Sequence, residues 1–353
     1  MKRKIFSSIS IMLMFTLLLS VAGCGSSGQV TSGSNEATTE NGQAASTGEK
    51  RTFKLGHIVP ESHIVHKSAL KFKEELEQRS NGRLSVVIYP NGTVGTEQDM
   101  LQQMQSGALD MGFITIAELT NSSSSFNAWL MPFVIRDLDH LFQVAESEEA
   151  YALLETLEDQ GFHGLGYITS GMRHLMMKDK FIESPADLNG MKLRVTPSPV
   201  IVDWWKRLNT SPTSIPLPEV YSAFQTGVID GLDSDLIAIN SNKLQEIGKY
   251  LTLTYHMAFQ NAAMVSKSVW DSLSDEDKKI IEEAFKVAYE FNLEQSKLDE
   301  TEALAALKND GVQVKEFEMT PEFQQLKEQF LAEYVQKDEK IQRFIEKAEE
   351  LAK

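Results

Sequence analysis

Two arginines are the side chains best placed to hold a small anion. Arg194 stands in "MKLRVTP", where Met191, Leu193 and Val195 alternate onto one face of a short strand while Lys192 and Arg194 share the other. Within a parallel sheet covered on both faces, such an arginine avoids burial only near the strand's C-terminal end, where open α/β sheets take their ligands. A guanidinium there offers a planar fork matched to a carboxylate. Arg173, in "SGMRHL", follows a glycine in the stretch expected to connect two lobes, and is the second candidate cation.

Catalysis is poorly supplied by comparison. There is a single cysteine, Cys24, with no G-x-S-x-G, no H-E-x-x-H and no phosphate-cradling glycine loop. His63 and His66 are spaced to share a helix face but lack a third metal ligand. "DGLDSD", at 230–235, lacks the loop glycine and terminal glutamate of an EF-hand. The pattern calls for no metal and no cofactor. A formal net charge of −16 argues against nucleic acid, and requires a local cationic pocket for any anionic ligand.

The elements that must position these residues come in two similar sets. "RTFKLGHIVP" reads as a strand, "IVHKSALKFKEELEQR" as an amphipathic helix stopped at Asn81-Gly82, and "RLSVVIYP" as a strand. "TEQDMLQQMQSG" reads as a helix and "ALDMGFIT" as a strand. From residue 191 the order recurs: strand "MKLRVTP", helix "VIVDWWKRLN", extended "TSIPLP", helix "EVYSAFQTG" and strand "VIDG". Setting Gly107 against Gly227 pairs Gln105 with Gln225 and Asp110 with Asp230. Two βαβαβ units imply two α/β lobes of similar build. Trp204 and Trp205, on the helix after Arg194, are expected in the core. Beyond 260 the text turns helical: a long helix runs from Ser274 to Gly311 and could brace both lobes. "VQVKEFEMTPEF" is a late strand, and a charged amphipathic helix continues to Lys353.

The N-terminus differs from the rest. Lys2, Arg3 and Lys4 precede an apolar run from Ile11 to Leu19, too short to span a bilayer comfortably and laid out as a secretory signal. "VAGC", at 21–24, resembles the lipobox of bacterial lipoproteins, which implies lipid on Cys24 after removal of residues 1–23. The polar stretch from 24 to 50 reads as a flexible tether. The expected location is therefore the extracytoplasmic face of the cell membrane, anchored by lipid with no span.

Six segments in order, "RSNGRLSVVIYPNGTVGTEQDMLQQMQSGALDMG", "PFVIRDLDHLFQ", "GYITSGMRHL", "SPADLNGMKLRV", "EVYSAFQTGVIDG" and "EIGKYLTLTYH", make the chain resemble the extracytoplasmic solute-binding proteins of TRAP transporters. The resemblance implies an α/β, two-lobed periplasmic-binding-protein-like (type II) fold with a long bracing helix, closing on an organic acid. It places lobe I at 51–171 plus about 260–299, and lobe II at 172–259 plus about 300–353. Arg194 takes the position that pairs with the ligand carboxylate, Arg173 matches a second arginine near the pocket, and Glu97 falls where some members touch the ligand's polar end. Three features depart from the common pattern. Leu232, Asp233 and Ser234 replace a Gln-Glu-Asn run, Leu217 replaces an aromatic residue, and Thr115 replaces an acidic contact. Asp233, Ser234, Glu97 and His63 would suit ligand hydroxyls, which favours a sugar acid such as a hexuronate. A C4-dicarboxylate or another monocarboxylate is the alternative, with Arg173 as second cation. TRAP membrane subunits are the implied partners; a sensor kinase receiving the ligand is an alternative, and an enzyme is not expected.

Overall fold

The computed structural model describes residues 49–353. The leader, Cys24 and the tether up to residue 48 lie outside the described residues. In chain order the first half runs β1 (Arg51–Gly56), α1 (Ile64–Arg79), β2 (Leu84–Tyr89), α2 (Glu97–Ser106) and β3 (Met111–Thr115). Short helices α3 (Ile116–Leu119), α4 (Leu138–Ala145) and α5 (Glu148–Leu154) lead into the 16-residue strand β4 (Phe162–Met177). The second half repeats the order with β5 (Lys192–Val195), α6 (Pro199–Arg207), β6 (Ser211–Ser214), α7 (Val220–Gln225) and β7 (Gly231–Asp235). Helix α8 (Leu236–Ser241) precedes the 17-residue strand β8 (Tyr250–Ser266). Then come α9 (Lys267–Asp271), α10 (Asp275–Asn309), β9 (Gln313–Glu316), α11 (Pro321–Tyr334) and α12 (Glu339–Leu351).

The strands lie in the order β2-β1-β3-β8-β4-β7-β5-β6, with β9 beside β8. Read from either end, each half contributes three parallel strands with its first strand central, followed by the long antiparallel strand that the other half sends back. Strand β3 pairs with residues 261–265 of β8, and β7 with 173–177 of β4. The two long strands pair with each other through three register shifts, near Gly164, Thr169 and Arg173. These crossovers join the lobes of a two-lobed periplasmic-binding-protein fold, and bulges there let each strand bend between them.

The repeated corner has a local cause. Gly107 and Gly227 end α2 and α7 in the left-handed region, at φ 75° and 78°, where a Cβ is strained. A few residues on, Asp110 Oδ2 accepts the Lys54 N–H at 2.8 Å and Asp230 Oδ2 accepts that of Lys192 at 2.9 Å. Each aspartate thus ties its corner to the central strand of its half, at the fourth residue of β1 and the first of β5. Helix α2 starts with a capping box, Thr96 and Asp99 satisfying each other's backbone N–H.

The bracing helix is α10, 35 residues or about 50 Å long. It starts where expected, with Ser274 accepting the Asp277 N–H. It packs against α1 of one half and α8 of the other, and along β4.

Four expectations need correction. Strand β7 is Gly231–Asp235 rather than "VIDG", because three polar side chains, Asp233, Ser234 and Asp235, are buried there, the two aspartates with partners of their own. The text does not turn helical at 260: β8 continues to Ser266, buried along nearly its whole length. Strand β6 begins two residues earlier than the "TSIPLP" stretch, and a 3₁₀ turn at Leu217–Glu219 follows it. The C-terminal helix is two helices, and α12 packs on α4 and α5 of the first half instead of on the second. Its Ala348 carbonyl lies 2.7 Å from His140 Nε2.

Candidate functional site

Strand β5 lies between β7 and β6, parallel to both, and Arg194 is its next-to-last residue. The guanidinium is buried rather than open to water, at 2 % exposure. Nε donates to the Ile215 carbonyl at 2.9 Å and one terminal nitrogen to the Asp233 carbonyl at 3.4 Å. Among the described residues no carboxylate comes within ion-pair distance of it. Burial, and then the charge of Arg173, lower its pKa to about 9, against the opposing pull of Asp233, Asp235 and Glu97. It stays cationic at neutral pH, a desolvated charge lacking a direct anionic partner.

Arg173 has such a partner. Its Nε donates to Asp233 Oδ1, and a terminal nitrogen donates to the Asp233 carbonyl and, at 3.3 Å, to Thr196 Oγ1. Its guanidinium lies 4.1 Å from the Phe259 ring centroid. The other Asp233 oxygen accepts from Trp205 Nε1 at 2.8 Å, and His256 Nε2 stands 3.4 Å from Oδ1. Burial opposes ionisation of Asp233, but Arg173, His256 and Trp205 outweigh it and hold the carboxyl below the usual range. Just before Arg173, Glu300 of α10 reaches the β4 bulge and accepts the Met172 N–H at 2.8 Å. A Cβ on Gly171 would stand 2.5 Å from that same glutamate oxygen, so glycine permits the approach.

The first half supplies the facing wall. His63 caps α1, its Nδ1 accepting the Val65 N–H at 3.2 Å, which turns Nε2 toward Asp235 Oδ1 at 3.5 Å. Glu97, the first residue of α2, is buried with one oxygen on the Thr115 N–H (2.6 Å) and the other on its hydroxyl (2.7 Å). Burial raises its pKa to about 7, with Thr115 partly offsetting and Glu118 adding to the rise. Among the contacts that cross between the halves are His63 to Asp235, the Thr120 and Ser198 hydroxyls at 2.8 Å, and the Phe133 N–H to the His256 carbonyl at 2.7 Å.

Between these walls lies an inner cavity of about 20 Å³, room for one water. His63, Ser170, Arg173, Arg194 and Ser234 line it. Ile58, Thr196 and Leu217 separate it from an outer cleft of about 410 Å³ that Glu97 also lines. An organic acid on Arg194 therefore requires the halves to part, or these three side chains to move.

Of the residues expected at the site, Arg194, Arg173, His63 and Ser234 surround the inner cavity and Glu97 lines the cleft. Asp233, expected to face ligand hydroxyls, is turned away: its carboxylate is occupied by Arg173, Trp205 and His256. Arg173, expected as a possible second cation, is neutralised by that same carboxylate. Thr196, Phe259 and Ser170 carry no sequence signal of a place at the site, and Trp205 reads from sequence only as a core residue. No spacing connects them, because partners 23 to 86 residues from Arg173 in sequence meet only through sheet pairing. Among the described residues, no group of three His, Cys, Asp or Glu could hold a metal, and no helix is long and apolar enough to cross a membrane.

The family model described as bacterial extracellular solute-binding protein, family 7, matches residues 55–340. A solute-binding protein of Roseobacter denitrificans is 33% identical over 249 residues, 70% of this chain and 76% of the relative. A TRAP periplasmic solute-binding protein of Bradyrhizobium, solved in complex with α/β-D-galacturonate, is similar at TM-score 0.81 and 29% identity. The match covers 85% of this chain and 100% of that one. Another, from Anaerococcus prevotii with bound α/β-D-glucuronate, is similar at TM-score 0.82 and 26% identity, covering 86% and 98%.

Proposed function

The chain belongs to the bacterial extracellular solute-binding protein family 7, and on that premise we propose that it captures one sugar-acid anion between its lobes and passes it to TRAP membrane subunits. The observation that carries this is Arg194: buried, cationic and without a carboxylate partner, beside the cavity between the halves. A ligand carboxylate supplies the missing anion through charge-assisted hydrogen bonds. The hydroxyl of Ser234 and the free lone pairs of Glu97 stand ready for hydroxyl groups further along the ligand. The hexuronates bound by the Bradyrhizobium and Anaerococcus proteins are monocarboxylates of this kind.

Capture works by differential contact. Arg194 and Ser234 belong to one half, His63 and Glu97 to the other, so only the closed form offers all of them to one ligand. The boundaries that fit this motion are lobe I at 51–171 plus about 260–299, and lobe II at 172–259 plus the segment after about 300, with α12 returned to lobe I. Lipid on Cys24 would keep the body at the extracytoplasmic membrane surface, within reach of the transporter.

Titration calorimetry of the detergent-solubilised full chain with D-galacturonate and D-glucuronate tests the reading. Saturable binding to the wild type, lost in Arg194→Ala, is the expected result. Absence of binding by both acids, or binding that survives Arg194→Ala, refutes it. For the anchor, Cys24→Ala should release the protein from the membrane fraction of expressing cells.

A further inference from the structure

We infer that the pocket takes one anionic group per ligand and rejects a second carboxylate at the ligand's far end. This rests on the sugar-acid reading and narrows it to monocarboxylates, aldonates and uronates rather than aldarates or C4-dicarboxylates.

The first reason is the inequality of the two arginines. A dicarboxylate wants two free cations, and Arg173 would be the second. Its Nε is on Asp233 Oδ1, a terminal nitrogen is shared between the Asp233 carbonyl and Thr196, and Phe259 covers its face. It meets a ligand as one half of a compensated pair rather than as a free cation, because Asp233, which Trp205 holds in place, already balances its charge. Arg194 donates only to carbonyls and is the one cation of the cavity without a carboxylate. His63 adds none, since its Nδ1 accepts from Val65 and its Nε2 faces Asp235.

The second reason lies outward. The cleft through which the ligand's far end would extend is lined by Glu97, Asp99, Glu118 and Glu219, with no lysine, arginine or histidine among its described lining residues. Glu97 cannot swing aside without giving up both Thr115 bonds. It lines the cleft just beyond Ile58, Thr196 and Leu217, the residues that the cleft shares with the Arg194 cavity. A hydroxyl arriving there donates to a glutamate. A carboxylate arriving there is desolvated among like charges, the usual physical means of excluding a wrong partner.

D-Galactonate and galactarate test this directly, because they share one linear six-carbon chain and differ in whether carbon 6 is a hydroxymethyl or a carboxylate. Calorimetry with the full chain in detergent, at about pH 8 to keep Glu97 ionised, should show galactonate binding at least tenfold tighter, although galactarate, a meso acid, keeps one end with the D-galactonate configuration to offer Arg194. In Glu118→Gln, and more so in Glu97→Gln/Glu118→Gln, galactarate should gain and the ratio should shrink toward threefold. The wild-type comparison needs no variant, so it stands even where the double variant folds poorly. Galactarate binding within threefold of galactonate, or tighter, overturns the inference and leaves the sugar-acid reading intact. No binding by galactonate, galactarate or galacturonate overturns that reading, and the inference with it.

Discussion

Arg173 and Asp233 are bonded within the sheet, β4 to β7, the guanidinium reaching diagonally past its register partner Asp235. Both side chains are almost wholly buried, so the pair is an organising device of the second half. Removing one partner leaves a charge with no solvent, a loss of about 3–5 kcal/mol. Asp233→Asn should lower the melting temperature by roughly 6–10 °C and also free Arg173. An unchanged melting curve would show that the pair does not organise the half.

Arg194 answers to a different measurement. Arg194→Ala deletes a buried cation that has no internal carboxylate to strand, so stability should hold while affinity falls by about 3–5 kcal/mol, two to three and a half decades. Arg194→Lys should bind nearly as poorly, because an ammonium cannot keep the Ile215 bond and also fork a carboxylate. Wild-type affinity in either variant by calorimetry would move the anion site elsewhere.

The hydroxyls of Thr120 and Ser198 meet at 2.8 Å where the halves touch. One neutral hydrogen bond contributes about 0.5–1.5 kcal/mol. Ser198→Ala should therefore weaken ligand binding roughly two- to tenfold through the closed form alone. Small-angle scattering of the ligand-free variant should show a wider average shape than wild type; identical curves and affinities would mean the contact does not favour closure.

Stability should fall as pH rises between about 6.5 and 8. Burial raises Glu97 and Glu300 to about 7 from an ordinary 4.5, so above the ordinary value the folded chain holds protons that the unfolded chain has released. That penalty is complete by about pH 8, the two carboxyls being half ionised near pH 7. Below about 6.5 the sign is opposed by His57 and His174, which burial lowers to about 3, since the unfolded chain then takes up protons that they refuse. Asp233 and Asp235, both held below the usual range, are ionised throughout and add no slope. Melts at pH 6.5 and 8 should show the drop, and Glu97→Gln should flatten it. An equal drop in the variant would clear Glu97 of any part.

Much of the fold was readable because its causes are local. A glycine at positive φ ending a helix is a requirement of a few consecutive residues, and the aspartate three residues on recurs with it, although the Lys54 and Lys192 N–H groups it meets lie 56 and 38 residues away. The pairs Gly107 with Gly227 and Asp110 with Asp230 therefore recur wherever the corner recurs. The same holds for Ser274 at the start of α10. Strand β7 was misplaced for the opposite reason. "GLDSD" carries polar side chains into the interior, and nothing nearby in sequence announces that Arg173, Trp205 and His63 wait there to satisfy two of them.

The sequence by itself determined that there are two lobes, that their corners match, and that two arginines are candidates for an anion. It could not rank the two. Arg173 and Arg194 both stand in short mixed stretches of apolar and polar residues, and what separates them is a carboxylate 60 residues beyond the first and 39 beyond the second. Only the tertiary structure decided which guanidinium Asp233 would neutralise, because charge pairing depends on distance in space, and sheet register sets that distance.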